Sequence, residues 1–515
     1  ENTKRIYSYV GPEQEYFLVD KEKYLKRPDL IYSGRTLFGA PAPKGQEMDD
    51  QYFGAIPPRV KAFMEDIDAK LWKLGITAKT EHCEVAPGQF EIAPIFSISN
   101  VALDNNLLVM DILKKTARQH GLICLLHEKP FDGINGSGKH NNWSLTTDDG
   151  INLFKPGKKP ENNSLFQLVL ACTMAAVDAH AVLLRLAASN TGNDHRLGAN
   201  EAPPAIISMY LGDQVGDVVD QIIKNGEATS SLSSGEIDFG IKKLPKLEKD
   251  PTDRNRTSPF AFTGNRFEFR MVASSNTIGD VNTVLNAMMA EQFEKAVEVL
   301  SKADDFETAV TEYTAKLMRE HQRIIFNGNG YSEEWPVEAE KRGLPNCKSI
   351  VDAIPALLDD TTIEMYGKFG ILSKAELAAR KEILFEQYAG VRNIEALTMV
   401  DMANKLIIPA TVKYTKELAD TVLAVKEAGV DATIQAEMLA DATAKLTEMK
   451  KAVKNLSEVT EKAANAGDAQ AVAVAYKDEV MEAMAELRKP ADELEVVMPK
   501  EEWPMPTYGD LVFEL

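Results

Sequence analysis

Four short segments of the chain alternate apolar side chains with acidic, histidine or arginine side chains. This period of two constrains the fold more than any other feature. Successive side chains of a β-strand point to opposite faces, so Glu13 and Glu15 share one face of the apolar segment 7–20. Two adjacent carboxylates repel each other unless a proton or a cation lies between them. Taken alone, this segment is also compatible with a solvated edge strand.

The other three segments repeat the division into an apolar and a polar face. Their polar faces carry His82 and Glu84 with Glu91 after a turn, then His140, Asn142 and Ser144, and then Arg266, Glu268 and Arg270. An antiparallel sheet would align these faces as one wall of ligands. Carboxylate-rich sites of this kind suit Mg²⁺ or Mn²⁺ in phosphate chemistry. The pattern predicts an α+β fold in which an antiparallel sheet bears a metal site and packs against helices.

The sequence pattern of the chain changes near residue 275. Short alternating segments and Gly/Pro loops precede this point, and amphipathic helical periodicity follows it. The segment 432–487 is rich in Ala, Glu, Lys, Met and Val, with Gly467 as its expected break. This predicts a long helical hairpin with a structural or assembly role. We expect a catalytic domain at 1–275, its helical continuation at 276–430, the hairpin at 431–490 and a tail at 491–515.

Charge and cysteine usage exclude several classes of protein. Lys and Arg number 58 against 78 Asp and Glu, giving a net charge of −20, which argues against a nucleic-acid partner. Four cysteines without metal-type spacing suit a reducing compartment. The apolar stretch 165–188 is interrupted by polar residues, so a buried helix is expected there rather than a membrane span. The N-terminus has no signal-peptide pattern. We expect a cytoplasmic protein with no membrane partner, whose chain begins directly in a strand.

Several arginines lie in loops where they could bind anions. Arg196 precedes Glu201 by five residues, and Arg254 and Arg256 lie in a polar loop. The planar guanidinium group binds carboxylate or phosphate with two parallel hydrogen bonds, although a solvated turn is the alternative for 253–258. The segment 133–140 nearly spells a P-loop. His140 replaces the required hydroxyl residue and a strand follows instead of a helix, so that motif is rejected.

In this order, these segments resemble glutamine synthetases over roughly residues 10–270. The spellings GKHNNWS at 138–144 and NDHRLGANEAPP at 193–204 look like the type III branch, as do the helical second half and the WPMP tail. The resemblance implies ATP-dependent ligation of ammonia to L-glutamate through a γ-glutamyl phosphate. It also implies two or more Mg²⁺ or Mn²⁺ ions per site, and a homo-oligomer of stacked rings, a dodecamer in the family.

The resemblance also implies roles for individual residues. One metal would be held by Glu15, Glu84 and Glu91, and the other by Glu13, His140 and Glu268. ATP would contact Phe96, Ser144 and Arg266, with Asn142 beside them and Arg256 at the phosphates. Glutamate would contact Asn135, Gly136, Arg196 and Arg270, and Glu201 would close over the intermediate and take a proton from ammonium.

Two alternatives remain open from the sequence. The family's N-terminal β-rich domain, which supplies an aspartate to the neighbouring ammonium site, has no counterpart in this chain. The sequence therefore says least about the pocket that binds the amine. A γ-glutamyl-amine ligase that uses a larger amine is one alternative. A non-catalytic scaffold subunit is the other, although a complete ligand set argues against it.

Overall fold

A computed structural model describes residues 3–198, 202–232 and 257–515, together with the backbone of two short strands between the last two ranges. The strands are β1 Ile6–Asp20, β2 Ala78–Cys83, β3 Gln89–Pro94, β4 Ser97–Ile98, β5 Leu122–Leu125, β6 Gly138–Thr147, β7 Met209–Tyr210, β8 Glu236–Ile237, β9 Leu247–Glu248, β10 Phe260–Phe262 and β11 Phe267–Ala273.

One twisted sheet carries all four patterned segments. Its strand order is β2-β3-β1-β6-β11-β10-β7, with β4 and β5 also paired to β1. The pairings are antiparallel except for β10 with β7, which is parallel. Strand β1 therefore lies inside the sheet between β3 and β6, and the edge-strand interpretation of segment 7–20 is wrong.

The face of the sheet opposite the polar wall is aromatic. Trp143 of β6 lies beside Phe267 of β11, and Phe260 of β10 stacks on Phe267 with ring centroids 4.7 Å apart. These side chains are buried in the largest core cluster. Because side chains alternate along each strand, burying the aromatic residues directs their polar neighbours to the other face.

Eight helices precede residue 275 among the described residues. They are α1 Lys21–Tyr24, α2 Pro28–Ser33, α3 Pro58–Lys73, α4 Ser99–Gln119, α5 Ser164–Ala179, α6 Ala181–Ala187, α7 Asn193–Arg196 and α8 Gly212–Asn225. The predicted buried helix at 165–188 is two helices, α5 and α6, which meet at His180 within the core. In the described ranges no single helix is long and apolar enough to cross a membrane. Helices α5 and α6 taken together are long and apolar enough for a broken membrane span, by length and composition only, and they are bent by 78° at the break.

After residue 275 the described chain forms helices, as the periodicity predicts. They are α9 Gly279–Leu300, α10 Phe306–Glu320, α11 Glu334–Lys341, α12 Ile350–Ala353, α13 Asp360–Lys368, α14 Lys374–Met402, α15 Ile408–Glu427, α16 Thr433–Ala464, α17 Ala469–Ala475, α18 Met481–Val497 and α19 Tyr508–Val512. Ser373 begins α14 with a capping box to Glu376, which satisfies end amides of the helix.

The predicted hairpin is present. Helix α16 forms its outgoing arm, and α17 and α18, joined by the π-helical turn Tyr476–Val480, form its returning arm. Gly467 lies in the turn with φ of +133°, a conformation that side-chain-bearing residues rarely adopt. The hairpin buries Leu456 and Leu487 in the same core cluster as the sheet residue Trp143, so it packs into the body of the molecule.

A buried ionic network ties the N-terminal part to the helices. Glu395 of α14 accepts two hydrogen bonds from Arg35, at 2.6 and 3.0 Å, and one from Arg392 at 2.9 Å. Arg392 also contacts His195 Nε2 at 2.6 Å and the Thr191 carbonyl at 3.0 Å. Burial would raise the pKa of Glu395, but the two arginines hold it well below its usual value. The network therefore fixes the segment 191–196, which leads to Arg196.

We expect Glu395→Ala to lower the free energy of unfolding by about 3–5 kcal/mol, because removing the shared carboxylate leaves two buried guanidinium groups uncompensated. The matched control is Asp401→Ala, also on α14. It breaks the exposed Asp401–Lys405 pair and should change stability by less than about 1 kcal/mol. Urea denaturation followed by circular dichroism measures both, and equal effects would contradict the role given to Glu395.

Candidate active site on the polar face of the sheet

Strand register brings the predicted ligands together. Glu13 lies opposite His140, Glu15 opposite Glu91, and Glu91 also opposite His82. On the far side of β6, Glu268 lies opposite Asn142. The ligands come from four adjacent strands and the turn after β2, so the antiparallel order of the sheet, rather than closeness in sequence, builds the group.

The first cluster consists of Glu13, His140 and Glu268. His140 Nδ1 lies 3.0 Å from Glu13 Oε2 and 3.0 Å from Glu268 Oε1. Asn142 donates a hydrogen bond of 2.9 Å to Glu13 Oε1, and Arg266 Nε donates one of 3.0 Å to Asn142 Oδ1. The three ligand atoms lie close enough together to hold one metal ion.

The second cluster consists of His82, Glu84 and Glu91. His82 Nε2 lies 2.6 Å from Glu91 Oε2, and His82 Nδ1 lies 3.6 Å from Glu84 Oε1. These three could also hold a metal ion. Glu84 and Glu91 were predicted as metal ligands from the family resemblance, whereas His82 was assigned no role, although its shared face with Glu84 was the available signal.

Glu15 lies between the two clusters. Its Oε2 accepts a hydrogen bond of 2.5 Å from the Gly138 amide, and its Oε1 lies 3.8 Å from His140 Nε2. The Gly138 amide therefore occupies one carboxylate oxygen of Glu15. Glu15 also lines the cavity that both clusters line.

Protonation in the first cluster reflects crowded negative charge. Burial and Arg270 would lower the pKa of His140, but hydrogen bonds to Glu13 and Glu268 raise it well above its usual value. Burial would raise the pKa of Glu13, but the hydrogen bond from His140 lowers it. A protonated His140 thus compensates its carboxylate neighbours when no metal is bound.

Crowded negative charge also raises pKa values in the second cluster. Burial, together with Glu15 and Glu91, raises the pKa of Glu84 to about 9. The hydrogen bond to Glu91 raises the pKa of His82 to about 9. Protons therefore occupy positions where a divalent cation would relieve the same repulsion. A wall of five carboxylates and two histidines fits hard divalent ions such as Mg²⁺ or Mn²⁺.

A cavity of about 720 Å³ opens in front of the wall and contains the predicted glutamate residues Asn135, Gly136, Arg196 and Arg270. Arg196 donates to the Arg270 carbonyl at 3.3 Å. Its guanidinium group lies against Gly138, where a Cβ atom would collide with it. Arg270 lies at a bulge between β6 and β11. A bulge re-aims side chains at the edge of a site.

Three residues in or beside this cavity were missed from the sequence. Gln46 donates a hydrogen bond of 2.6 Å to Asn135 Oδ1 and accepts one of 3.1 Å from the Asn135 amide. Gln89 donates to the Gly136 carbonyl at 2.9 Å. Tyr52 lines the cavity with its ring edge-on to His82. Gln46 and Tyr52 belong to a loop that shows no periodic pattern, so only the tertiary structure brings them to the site.

A second, wider cleft of about 1370 Å³ adjoins the first and contains Phe96, Asn142, Ser144 and Arg266, the predicted nucleotide residues. The Phe96 ring is 65% exposed and lies edge-on to Tyr9, with centroids 6.1 Å apart. Glu13 lines both cavities. The first ligand cluster therefore lies where the two cavities meet.

Glu201, Arg254 and Arg256 lie outside the described residues. Their predicted roles at the flap and at the phosphates are not tested by the structure. Ala202, the described residue next to Glu201, lines the first cavity.

Comparisons with known proteins give one consistent result. A family model described as the glutamine synthetase catalytic domain matches residues 2–208, and one described as the glutamine synthetase C-terminal domain matches residues 309–426. A glutamine synthetase of Butyrivibrio fibrisolvens is 45% identical, covering 100% of this chain and 74% of its own length. A type-3 glutamine synthetase of Dictyostelium discoideum is 42% identical, covering 100% and 71%. A glutamine synthetase of Bacteroides fragilis is 41% identical, covering 100% and 72%.

The two clusters predict separable metal affinities. We expect Glu268→Ala to weaken one Mn²⁺ site and Glu91→Ala the other, each by more than about tenfold, because each variant removes a carboxylate ligand from one cluster. Glu65→Ala, at an exposed position of α3, should change neither affinity. Isothermal titration calorimetry or Mn²⁺ paramagnetic resonance measures the sites. Loss of the same single site in both cluster variants would contradict two separate clusters.

Proposed function

The chain belongs to the glutamine synthetase family and is a glutamate–ammonia ligase, and we propose that it works through a γ-glutamyl phosphate intermediate at a two-metal site. The family uses ATP and a divalent metal, and the substrates are glutamate, ammonia and ATP. The matches to both domains and to relatives along the whole chain confirm the resemblance drawn from the motifs. One of these relatives is named a type-3 glutamine synthetase.

The observation that carries the proposal is the position of Glu13, His140 and Glu268 at the meeting point of two cavities. One cavity has buried arginines and suits a dicarboxylate. The other has an exposed aromatic ring and polar groups, and suits a nucleotide. A phosphoryl group passing from ATP to glutamate has to cross between them, and the ligand wall lies at that crossing.

The proposed ligands are Glu15, Glu84 and Glu91 for one metal and Glu13, His140 and Glu268 for the other. Bound there, Mg²⁺ or Mn²⁺ would neutralise the charge on the phosphates during transfer. His82 contacts both Glu84 and Glu91, so it either replaces Glu15 as a ligand or orients these carboxylates. Hydrogen bonds that orient ligand carboxylates are common around metal sites.

On the glutamate side, Arg196 and Arg270 would hold the carboxylates of the substrate. Guanidinium groups bind carboxylates bidentately, and both arginines are largely buried, which strengthens the attraction. Asn135 and Gly136 would contact the amino-acid end. This arrangement orients the γ-carboxylate towards the ligand wall and towards the γ-phosphate of ATP.

In the first step the γ-carboxylate attacks the γ-phosphorus of ATP and ADP leaves, with Arg256 supporting the charge that develops. In the second step ammonia attacks the acyl carbon and phosphate leaves. Glu201 accepts a proton from bound ammonium, which frees ammonia for the attack, and covers the intermediate, which excludes competing water. Both residues lie outside the described ranges, so these two roles depend on the family resemblance.

The family resemblance also supports a homo-oligomer of stacked rings with active sites between subunits. Exposed apolar side chains on α4, including Val101, Leu107 and Leu108, suit burial against another subunit. A cytoplasmic location stays a prediction from the sequence.

We expect ammonium-dependent release of ADP when the chain is given Mg²⁺, ATP and glutamate. Glu268→Ala should lower this turnover by at least about a thousandfold, because a metal ligand is lost from the transfer site. Glu312→Ala, at an exposed position of α10, should leave turnover unchanged. A coupled assay for ADP measures all three proteins.

The outcomes separate the alternatives. Faster turnover with methylamine than with ammonium would favour a γ-glutamyl-amine ligase. Mg²⁺-dependent nucleotide binding without any turnover would mean a metal wall that needs a further component to work. Absence of both turnover and nucleotide binding would overturn the enzymatic proposal in favour of a scaffold subunit.

Phe96 tests the nucleotide cleft. Phe96→Ala should raise the KM for ATP about tenfold, because stacking of a base on an aromatic ring contributes about 1–3 kcal/mol, and should leave the KM for glutamate within about twofold. Phe306→Ala, an equally exposed ring on α10, is the control. A larger rise in the KM for glutamate than for ATP would place the nucleotide elsewhere.

A further inference from the structure

The C-terminal tail returns to the sheet and packs behind the glutamate side of the site. Helix α19 begins at Thr507 with a capping box to Asp510. Its Tyr508, Leu511 and Val512 are buried in a core cluster with Phe17 of β1 and Phe131. Neither the sequence pattern nor the proposed function gives this tail a role, yet Tyr508 is only 3% exposed.

The Tyr508 hydroxyl makes a complete set of hydrogen bonds. Thr36 Oγ1 donates its only proton to the Pro130 carbonyl at 2.8 Å. In the contact of 2.8 Å between Thr36 Oγ1 and the Tyr508 hydroxyl, the tyrosine is therefore the donor. The hydroxyl then accepts from the Asp132 amide at 3.2 Å and from Arg488 at 3.0 Å. One donor and two acceptor positions are therefore all used, as a buried hydroxyl requires.

The Tyr508 ring is fixed as firmly as its hydroxyl. It lies edge-on to Phe131, with centroids 5.6 Å apart. On another side it lies against Gly39, where φ is +151° and a Cβ atom would collide with the ring. Glycine at this position therefore lets the tail approach the loop that leads to Gln46.

The segment held by Tyr508 continues directly into the glutamate contacts. Asp132, whose amide it binds, is three residues before Asn135. Ile134, between them, packs against the same core cluster as Tyr508, and its carbonyl accepts a hydrogen bond from Lys129. From the other side, Gln46 forms two hydrogen bonds with Asn135. The tail thus fixes one end of the segment that carries Asn135 and Gly136.

The helical hairpin supports the same contact. Arg488 of α18 donates to Tyr508, to the Gly39 carbonyl at 3.0 Å and to Asp492 at 2.8 Å. The returning arm of the hairpin is therefore joined to the glutamate segment through one arginine and one tyrosine.

We propose that Tyr508, held by Arg488 of the hairpin, is a positioning residue for glutamate binding at Asn135 and Gly136. The proposal rests on the proposed function, since it assumes that glutamate contacts this segment. Tyr508 acts through the Asp132 amide and touches no substrate itself. It couples the C-terminal tail to the affinity for glutamate and leaves the nucleotide cleft, on the other side of Glu13, unaffected.

The test is Tyr508→Phe in the full chain, which keeps the ring against Phe131 and Gly39 but removes all three hydrogen bonds of the hydroxyl. The KM for glutamate should rise about tenfold, because an amide that loses a buried partner no longer fixes its segment. The KM for ATP should stay within about twofold. Tyr476→Phe is the matched control, since this buried hydroxyl bonds Asn393 at 3.0 Å far from the site.

Thr36→Val removes the acceptor that orients the Tyr508 hydroxyl but leaves the bond to the Asp132 amide. It should raise the KM for glutamate selectively but by less than Tyr508→Phe, so the proposal stays testable if Tyr508→Phe folds poorly. A glutamate KM unchanged in both variants, or an equal rise in the KM for ATP, would overturn the positioning role. If the unmodified chain shows neither turnover with ammonium nor Mg²⁺-dependent nucleotide binding, the proposed function fails instead, and the two failures are thereby distinguished.

Discussion

Repulsion between carboxylates on one face of the sheet is the constraint on which the rest of the structure depends. Glu13, Glu15, Glu84, Glu91 and Glu268 converge there, and only protons or cations can make that arrangement stable. Despite burial, hydrogen bonds to these carboxylates raise the pKa values of His140 and His82, and burial with the neighbouring carboxylates raises that of Glu84. Concentrating negative charge in this way is unfavourable for folding alone, so its presence indicates a site built for divalent cations and phosphate.

The remainder of the fold holds this wall in place. Aromatic residues on the opposite face anchor β6, β10 and β11 in the core, which opposes a one-residue slip that would turn His140 and Glu268 away from the wall. Arg35, Glu395 and Arg392 lock the segment that leads to Arg196 against α14. Arg488 and Tyr508 do the same for the segment that leads to Asn135. Distant helices thus position both sides of the cavity proposed to bind glutamate.

Much of the site could be predicted because its residues lie on strands with a clear period of two. Glu13, His140, Glu268 and Arg270 follow from that pattern, with their roles supplied by the family resemblance. His82 shared the pattern but received no role. Gln46 and Tyr52 could not be found, because a loop without periodicity places its side chains through tertiary contacts alone. The edge-strand alternative for β1 failed because pairing on both sides of a strand is decided by long-range neighbours.

By itself the sequence determined the family, the α+β class, the polar face of each ligand strand and the helical hairpin with its turn at Gly467. These features depend on periodicity and composition, which are local properties of the chain. Only the tertiary structure decided which strands are adjacent, that Glu13 lies between two cavities, and that a tail near residue 508 contacts a segment near residue 132. Contacts between residues hundreds of positions apart depend on packing, and no local pattern records them.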